Sequence, residues 1–201
     1  MSMFEAYYRN DIRAPEQLTD QLNGNLCRCT GYRPIRDAMA NALAAKPKSN
    51  GEDPHQKRLL NVIQSSAFDY SAANARFIRP SSLSDLLELR ANHPEAELVG
   101  GATEIGVYRN KQGRHFPFLI STEGVSELAQ IEKKKDAIHV GGAVTLTTLE
   151  EALGGEFPQL DKMLWVFASR QIRSRATLAG NLVTASPIGD MAPVLLSLDA
   201  R

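Results

Sequence analysis

The sequence predicts an α+β protein in which a helical N-terminal segment precedes a larger domain of mixed helices and strands. Apolar residues recur at helical spacing through residues 1–45. The stretch KPKSNGEDPHQ, which begins at Lys46, is polar and is broken by proline and glycine, as in a linker between domains. From Arg76 onward, short apolar strands alternate with capped helices. We therefore expect a helical segment at 1–45, a linker at 46–73 and the mixed domain at 74–201.

The composition excludes several classes of protein. The 201 residues include 23 basic and 23 acidic side chains, so a net charge of zero gives no reason to expect a nucleic acid or an anionic membrane as partner. No apolar run is long enough to span a membrane, and the polar start MSMFEAYYRND is not a signal peptide. The 2 cysteines are too few for a secreted disulfide framework, so we expect a cytoplasmic location.

The N-terminal segment is predicted to form short helices separated by breaks. Phe4, Tyr7 and Tyr8 lie at helical spacing. The sequence from Asp11 to Pro15 interrupts this pattern, and a second helix at 16–23 is ended by Gly24. Pro34 suits the first position of a third helix. The apolar stripe of that helix consists of Ile35, Ala38, Met39, Ala42 and Leu43.

Cys27 and Cys29 are the candidate metal ligands, and they lie in a turn just before the third helix. The positive end of the helix dipole, together with Arg28 and Arg33, lowers the cost of charging the two thiols. One interpretation is half of a cysteine-ligated iron–sulfur site, and the other is a pair of reduced structural cysteines. The spacing alone does not choose between them.

The first half of the mixed domain is predicted to contain three strands and one helix. The strand at 77–79 is ended by Pro80. Ser82 and Asp85 resemble a capping box for a helix that carries Leu83, Leu86 and Leu87. His93 and Pro94 end this helix, and strands follow at 98–99 and 116–121.

The second half is predicted to contain a hairpin and two helices. The segments 128–131 and 137–142 flank the turn sequence KKKD, whose lysines form a solvated tip. Thr147 and Glu150 are predicted to cap a helix that carries Leu149 and Leu153. A second helix presents an apolar stripe of Leu160, Met163, Leu164 and Phe167 to the core.

Two glycine-containing stretches are the candidate ligand site. In ELVGGATEIG, residues 97–106, a short buried strand runs into a glycine turn, whose backbone N–H groups can bind an anion. It is neither a GxGxxG motif nor a P-loop, and alone it is a weak signal. In the stretch 168–193, Thr177, Ala179, Gly180 and Asn181 form a loop of low bulk that bears hydroxyl and amide donors.

Charged residues in the second stretch add to this prediction. Asp190 can accept a hydrogen bond from a ribose hydroxyl, and Arg170, Arg173 and Arg175 raise the local positive potential. The alternative is a surface turn between two strands, which composition alone favours. Two such stretches in one domain nevertheless suit a ligand that carries a pyrophosphate between two bulky ends.

Both stretches, in this order, resemble the FAD domain of the molybdenum hydroxylase family. LVGGATEIG resembles the first flavin loop of that family, and TLAGNLVTASPIGD resembles the second, in which Ala179 replaces a glycine. The upstream run NLCRCTGYRPI resembles the second ligand pair of the family's helical 2Fe–2S domain. This combination narrows the resemblance to the small iron–sulfur and FAD subunit of bacterial xanthine dehydrogenases.

The resemblance implies a set of cofactor residues. Cys27 and Cys29 would be two of the four ligands of a 2Fe–2S cluster. Phe167 would form a wall of the flavin site, although its spacing alone predicts a core residue, and Glu104 would be repelled by a pyrophosphate and would then be structural. The implied FAD-binding residues are Leu98, Val99, Gly100, Gly101, Ala102, Thr103, Glu104, Ile105, Phe167, Thr177, Leu178, Ala179, Gly180, Asn181 and Asp190.

The resemblance also implies a function for the whole assembly. A molybdenum centre on a separate large subunit would oxidise xanthine or hypoxanthine, and electrons would pass through 2Fe–2S clusters to FAD and then to NAD. By this comparison the sequence is truncated at both ends, and the chain alone would be inactive, with no catalytic residue of its own. The alternatives are the flavin component of an aldehyde or carbon monoxide dehydrogenase, and a truncated non-catalytic fragment that only binds a partner.

Overall fold

A computed structural model describes residues 1–47, 55, 57–58 and 67–201 of the chain. Its residues divide into two compact units. Unit 1 comprises Met1–Gln64 together with Ala168–Gln171, and unit 2 comprises Ser65–Phe167 together with Ile172–Arg201. Of the linker predicted at 46–73, residues 48–54, 56 and 59–66 fall outside the described residues.

Unit 1 contains the predicted short helices. They are α1 (Ser2–Tyr8), α2 (Pro15–Leu22) and α3 (Arg33–Ala44), and a short 3-10 turn at Arg28–Thr30 precedes α3. Ala6, Leu18 and Met39, one from each helix, form the small buried core. Gly24 follows α2 with a φ of 82°, a left-handed conformation in which glycine avoids the cost of a Cβ. One residue of the predicted stripe differs, because Ala38 is exposed.

A buried polar network holds unit 1 together. The side chain of Gln21 is 1% exposed, and its amide donates to the Ser2 carbonyl at 3.1 Å and to the Glu5 carboxylate at 2.9 Å. The Gln21 oxygen accepts from Arg9 at 3.0 Å. The guanidinium of Arg170, also buried, donates to Glu5 at 2.8 Å. Arg170, from the 168–171 segment, therefore supplies Glu5 with a hydrogen-bond donor from outside the three helices.

We expect unit 1 to lose stability in acid. Burial disfavours ionisation of Glu5, but hydrogen bonds from Gln21 and Arg170 and the charges of Arg170 and Arg9 outweigh it, so the pKa of Glu5 lies below its ordinary value of 4.5. A depressed pKa stabilises the fold above the unfolded pKa, and this stability is lost as the pH falls through the folded value. Far-ultraviolet thermal melts between pH 6 and about pH 3 should show a declining Tm. The decline should be shallower in Glu5→Gln, and an identical pH profile in both proteins would contradict this assignment.

Unit 2 begins with a four-stranded sheet. Its strands are β1 (Phe68–Ala72), β2 (Ala75–Arg79), β3 (Glu97–Val99) and β4 (Phe118–Ser121), in the spatial order β1-β2-β4-β3. β1 pairs antiparallel with β2, whereas β2–β4 and β3–β4 are parallel. The helices α4 (Leu83–Asn92) and α5 (Thr103–Gln112) lie in the crossovers. Both the parallel pairs and the crossover helices are features of an open α/β layer.

Strand β1 lies within residues that the sequence assigned to the linker. All of its residues are exposed, so the burial pattern that identifies a strand is missing. It is held by backbone pairing to β2 and by an ion pair of 2.8 Å between Arg76 and Asp69. β4 begins at Phe118 and not at Phe116 as predicted. Of the leucines predicted on α4, Leu86 is buried and Leu87 is 61% exposed.

The second part of unit 2 contains a hairpin and five helices among the described residues. The hairpin consists of β5 (Ile131–Lys133) and β6 (Ile138–Val140), which confirms the predicted turn at KKKD. The helices are α6 (Leu146–Leu153), α7 (Pro158–Val166), α8 (Arg170–Arg173), α9 (Leu178–Thr184) and α10 (Met191–Ser197), and the first two residues of α8 belong to unit 1. Leu149, Leu153, Leu160 and Leu164 join the main core, as their spacing predicts. The cap of α6 was predicted wrongly: Thr145, and not Thr147, accepts from the backbone of Thr148 at 3.1 Å.

No helix of the described residues is long and apolar enough to cross a membrane.

Candidate functional site

Unit 2 contains a cleft of about 650 Å³ that brings the two glycine-containing stretches together. One side is formed by the end of β3 and the start of α5, and the other by the segment before α9 and by α9 itself. Most of the predicted cofactor residues line it: Leu98, Val99, Gly100, Gly101, Ala102, Thr103, Glu104, Ile105, Phe167, Thr177, Gly180 and Asn181.

The Gly100–Gly101 turn packs directly on the second stretch. A Cβ added to Gly101 would lie 1.5 Å from the carbonyl oxygen of Arg175 and 3.0 Å from the backbone nitrogen of Ala176. A Cβ on Gly100 would lie 3.1 Å from the hydroxyl of Thr177. Only glycine allows two backbone segments to approach this closely. The two glycines therefore set the contact between the halves of the cleft.

The N-terminus of α5 lacks a side-chain cap and points its free donors toward the cleft. Its N-cap residue, Ala102, has a φ of 59° and has no side-chain oxygen. The first backbone N–H groups of a helix have no partner within the helix, so those of 103–105 are available to a ligand. The alternation of helical and left-handed backbone at this point is the geometry of an anion-binding nest.

The N-terminus of α9, by contrast, is capped by its own sequence. The hydroxyl of Thr177 accepts from the backbone of Gly180 at 3.1 Å, and Thr177 forms an isolated antiparallel bridge with Thr145. The sequence predicts a loop at 177–181, or a turn between strands, but the structure has the first turns of a helix there. The sequence does not indicate this helix, because Gly180 and Asn181 have low helical propensity.

Asn181 has a structural role as well as a position on the cleft. Its side-chain oxygen accepts from the backbone nitrogen of Met191 at 3.3 Å, which ties α9 to the start of α10. Its side-chain nitrogen is a donor that this hydrogen bond does not use. The side chain can therefore hold the fold through its oxygen and a ligand through its nitrogen.

Three predicted residues lie away from the described cleft lining. Leu178 is buried in the main core, and Ala179 packs on Gly142, whose added Cβ would lie 3.2 Å from that of Ala179. Asp190 is the N-cap residue of α10. The contact of Asp190 with a ribose therefore stays a prediction that the cleft geometry does not support.

The arginines of the second stretch are engaged elsewhere and do not line the cleft. Arg170 bonds Glu5 within unit 1, and Arg175 forms an ion pair with Glu123. Arg173 is 0% exposed, donates to the carbonyl of Phe167 at 2.9 Å and lies 3.3 Å from Glu150. The prediction that these arginines create a positive potential at the ligand site was wrong, because nearby carboxylates offset their charges.

Phe167 lies both against the core and on the cleft, the two locations that the sequence and the resemblance suggest for it. It packs against the main core at the end of α7 and also lines the cleft. The cleft is also lined by four residues that were not predicted from the sequence: Tyr108, Ile172, Val183 and Thr184. Tyr108 and Thr184 are one helical turn from predicted residues, so the helices at 103–112 and 178–184 would have pointed to them.

Cys27 and Cys29 lie at an accessible turn of unit 1. Both thiols are free, and Cys29 is exposed. Hydrogen bonds from the Cys29 thiol and from the backbone of Cys29 and Thr30 lower the pKa of Cys27. This favours the thiolate, which is the form that binds iron. Within the described residues, no group of three or more His, Cys, Asp or Glu side chains could hold a metal ion, so the donor set fits half of a four-thiolate cluster and not a whole one.

Comparison with known proteins matches both parts of the chain to described families. Residues 70–201 match the FAD binding domain in molybdopterin dehydrogenase, and residues 1–40 match the 2Fe–2S binding domain. Xanthine dehydrogenase of Drosophila subobscura is 30% identical over 100% of this chain and 19% of its own length. Aldehyde oxidase 2 of Macaca fascicularis is 29% identical over 97% of this chain and 18% of its own length.

A solved structure shares the fold. The crystal structure of quinoline 2-oxidoreductase from Pseudomonas putida 86 superimposes with a TM-score of 0.52 and 25% identity, over 61% of this chain and 43% of that chain. The chain spans about a fifth of the length of the curated relatives named above. The FAD-domain match covers more than half of the chain. The chain therefore belongs to the molybdenum hydroxylase family, of which it carries FAD-binding and partial 2Fe–2S regions.

Proposed function

We propose that the cleft of unit 2 binds FAD and that the chain forms the flavin part of an electron relay. The observation that carries this proposal is the uncapped N-terminus of α5, which opens into the same cleft as Asn181. Free backbone N–H groups at a helix start suit the two phosphates of FAD. In this assignment the nest at 100–103 and the side-chain nitrogen of Asn181 donate to the pyrophosphate, and Phe167 packs on the ligand.

The finer assignment is a xanthine dehydrogenase. We propose that the relay accepts electrons from a molybdenum-containing large subunit through 2Fe–2S clusters and delivers them to NAD during purine oxidation. Bound FAD would supply the two-electron chemistry, while this chain binds and orients it. Cys27 and Cys29 would contribute two thiolates to one cluster. Support comes from the similarity to xanthine dehydrogenase of Drosophila subobscura over the whole chain.

The second candidate is an aldehyde-oxidising enzyme of the same family. It is favoured by the aldehyde oxidase of Macaca fascicularis, whose identity of 29% nearly equals the 30% of the xanthine dehydrogenase. The two candidates differ in substrate and in electron acceptor. Reduction of the chain, assembled with its large subunit, by substrate without oxygen, followed by addition of NAD, tests the acceptor. Formation of NADH with reoxidation of the flavin supports the dehydrogenase, and a flavin that only oxygen reoxidises supports the second candidate.

FAD titration tests the proposed site itself. Flavin fluorescence should be quenched at micromolar protein, and ADP should compete because it carries the same pyrophosphate. Asn181→Asp keeps the oxygen that accepts from Met191 but replaces the amide donor by a charge, so FAD affinity should fall while the Tm stays near that of the wild type. Asn181→Ala should lower both, since it also removes the link to α10. Unquenched FAD at millimolar wild-type protein would refute the site.

A further inference from the structure

Glu104 lines the cleft, and both of its carboxylate oxygens accept hydrogen bonds from side chains of the protein. The Tyr108 hydroxyl, one turn along α5, donates to Oε1 at 3.1 Å. The Thr184 hydroxyl, at the end of α9, donates to Oε2 at 2.5 Å. The second bond joins residues 80 positions apart in the sequence and crosses from one half of the cleft to the other.

This bond attaches the C-terminal end of α9 to the first half of the cleft. Another attachment lies at the N-cap of α9, where Thr177 touches the Gly100 turn. Thr184 is the last residue of α9, and Glu104 lies in the first turn of α5. One attachment would leave the angle between the two helices free to vary, whereas attachments at both ends of α9 fix it. The width of the cleft then depends on the bond between Glu104 and Thr184.

The position of Glu104 also suits a carboxylate that binds no ligand. A negative charge in the first turn of a helix is stabilised by the helix dipole. Two hydroxyl groups, those of Tyr108 and Thr184, donate to the Glu104 oxygens. A carboxylate free to face a pyrophosphate would repel it, and these two hydrogen bonds direct the charge toward the protein.

We propose that Glu104 is a positioning residue: it joins α5 to the end of α9 and so holds the cleft at the width that FAD requires. This inference rests on the proposed function, since it assigns to Glu104 a role in shaping the same site. It predicts that removing either partner of the cross-cleft bond weakens FAD binding, although Thr184 supplies no charge to the ligand.

The test compares variants of the full chain by FAD titration. Glu104→Ala and Thr184→Val should each raise the Kd for FAD about tenfold, the loss expected for a hydrogen bond to a charged group. The double variant should be no worse than Glu104→Ala alone, because that substitution already removes the bond to Thr184. Thr184→Ser keeps the hydroxyl and should retain wild-type affinity. Tyr108→Phe removes only the bond within α5 and should have a smaller effect.

A second measurement needs no ligand and separates this inference from the proposed function. The hydrogen bond to Glu104, with its charge, raises the pKa of Tyr108. In ultraviolet titration, Glu104→Gln should lower the pKa of one tyrosine, and Tyr108→Phe should remove that tyrosine from the titration. In the free energy of unfolding of the ligand-free chain, Glu104→Ala and Thr184→Val should also be non-additive.

If wild-type protein fails to bind FAD, but the tyrosine titration and the unfolding free energies of the ligand-free chain come out as expected, the proposed function fails and the cross-cleft bond stands. If Glu104→Ala weakens FAD binding while Thr184→Val does not, Glu104 contacts the ligand itself and the positioning role is overturned. Additive effects of the two substitutions, in binding or in unfolding, overturn it as well.

Discussion

Replacing Gly101 by alanine is expected to abolish FAD binding and to destabilise unit 2 by about 3 kcal/mol or more. The added Cβ would lie 1.5 Å from the carbonyl oxygen of Arg175 and 2.2 Å from its carbonyl carbon. Both are backbone atoms, so no side-chain rotation relieves the overlap, and the 175–176 segment must move away. That movement separates the halves of the cleft at their point of closest contact. Urea unfolding and FAD titration of the purified variant measure the two effects.

Gly106→Ala is the matched control for this substitution. Gly106 lies five residues further along, inside α5, and a Cβ there meets nothing within 4 Å. Alanine also favours the helix by up to about 1 kcal/mol over glycine. This variant should therefore be as stable as the wild type or more so, with unchanged FAD affinity. A Gly101→Ala protein that matches Gly106→Ala in both measurements would show that the backbone contact does not shape the site.

Where sequence pattern and burial coincide, the fold could be predicted. The leucine stripe of α7 and the turn between β5 and β6 follow from the spacing of apolar and polar residues, and both were predicted. Strand β1 and helix α5 were not predicted. All residues of β1 are exposed, and α5 has no buried residue, so neither shows the periodic pattern that burial imposes on a sequence. Backbone hydrogen bonds and tertiary contacts hold both elements, and such contacts impose no periodic pattern of apolar residues on the sequence.

Most of the residues predicted for the site line one cleft, but their backbone forms helix N-termini there and not the predicted loops. Small residues and hydroxyls marked the two stretches, because close backbone approach requires them. The same small residues suggested loops, whereas both stretches run into helix N-termini. The cross-cleft bond between Glu104 and Thr184 has no signal in the sequence, since it joins residues that only the tertiary fold brings together. The arginines were misassigned because their carboxylate partners, Glu5, Glu123 and Glu150, are likewise distant in the chain.

The second large effect concerns the cysteines of unit 1. We expect residues 1–201 by themselves to assemble no stable 2Fe–2S cluster. Each iron of such a cluster needs two protein ligands, usually thiolates, and the chain has 2 cysteines in all. Cys27 and Cys29 can hold one iron, and among the described residues no third His, Cys, Asp or Glu completes a metal-binding group with them. The second iron would remain open to water and would be lost.

Anaerobic reconstitution with iron and sulfide, followed by gel filtration, measures this directly. Wild-type protein should retain no more iron, sulfide or visible absorbance than the Cys27→Ser and Cys29→Ser variants, which serve as controls. Two irons and two sulfides per chain would contradict the ligand count. A dimer that shares one cluster between chains would do so as well, because it would supply four thiolates from two copies of this turn.

In the absence of iron, both thiols should react rapidly with alkylating reagents, since Cys29 is exposed and the pKa of Cys27 is lowered by its hydrogen bonds.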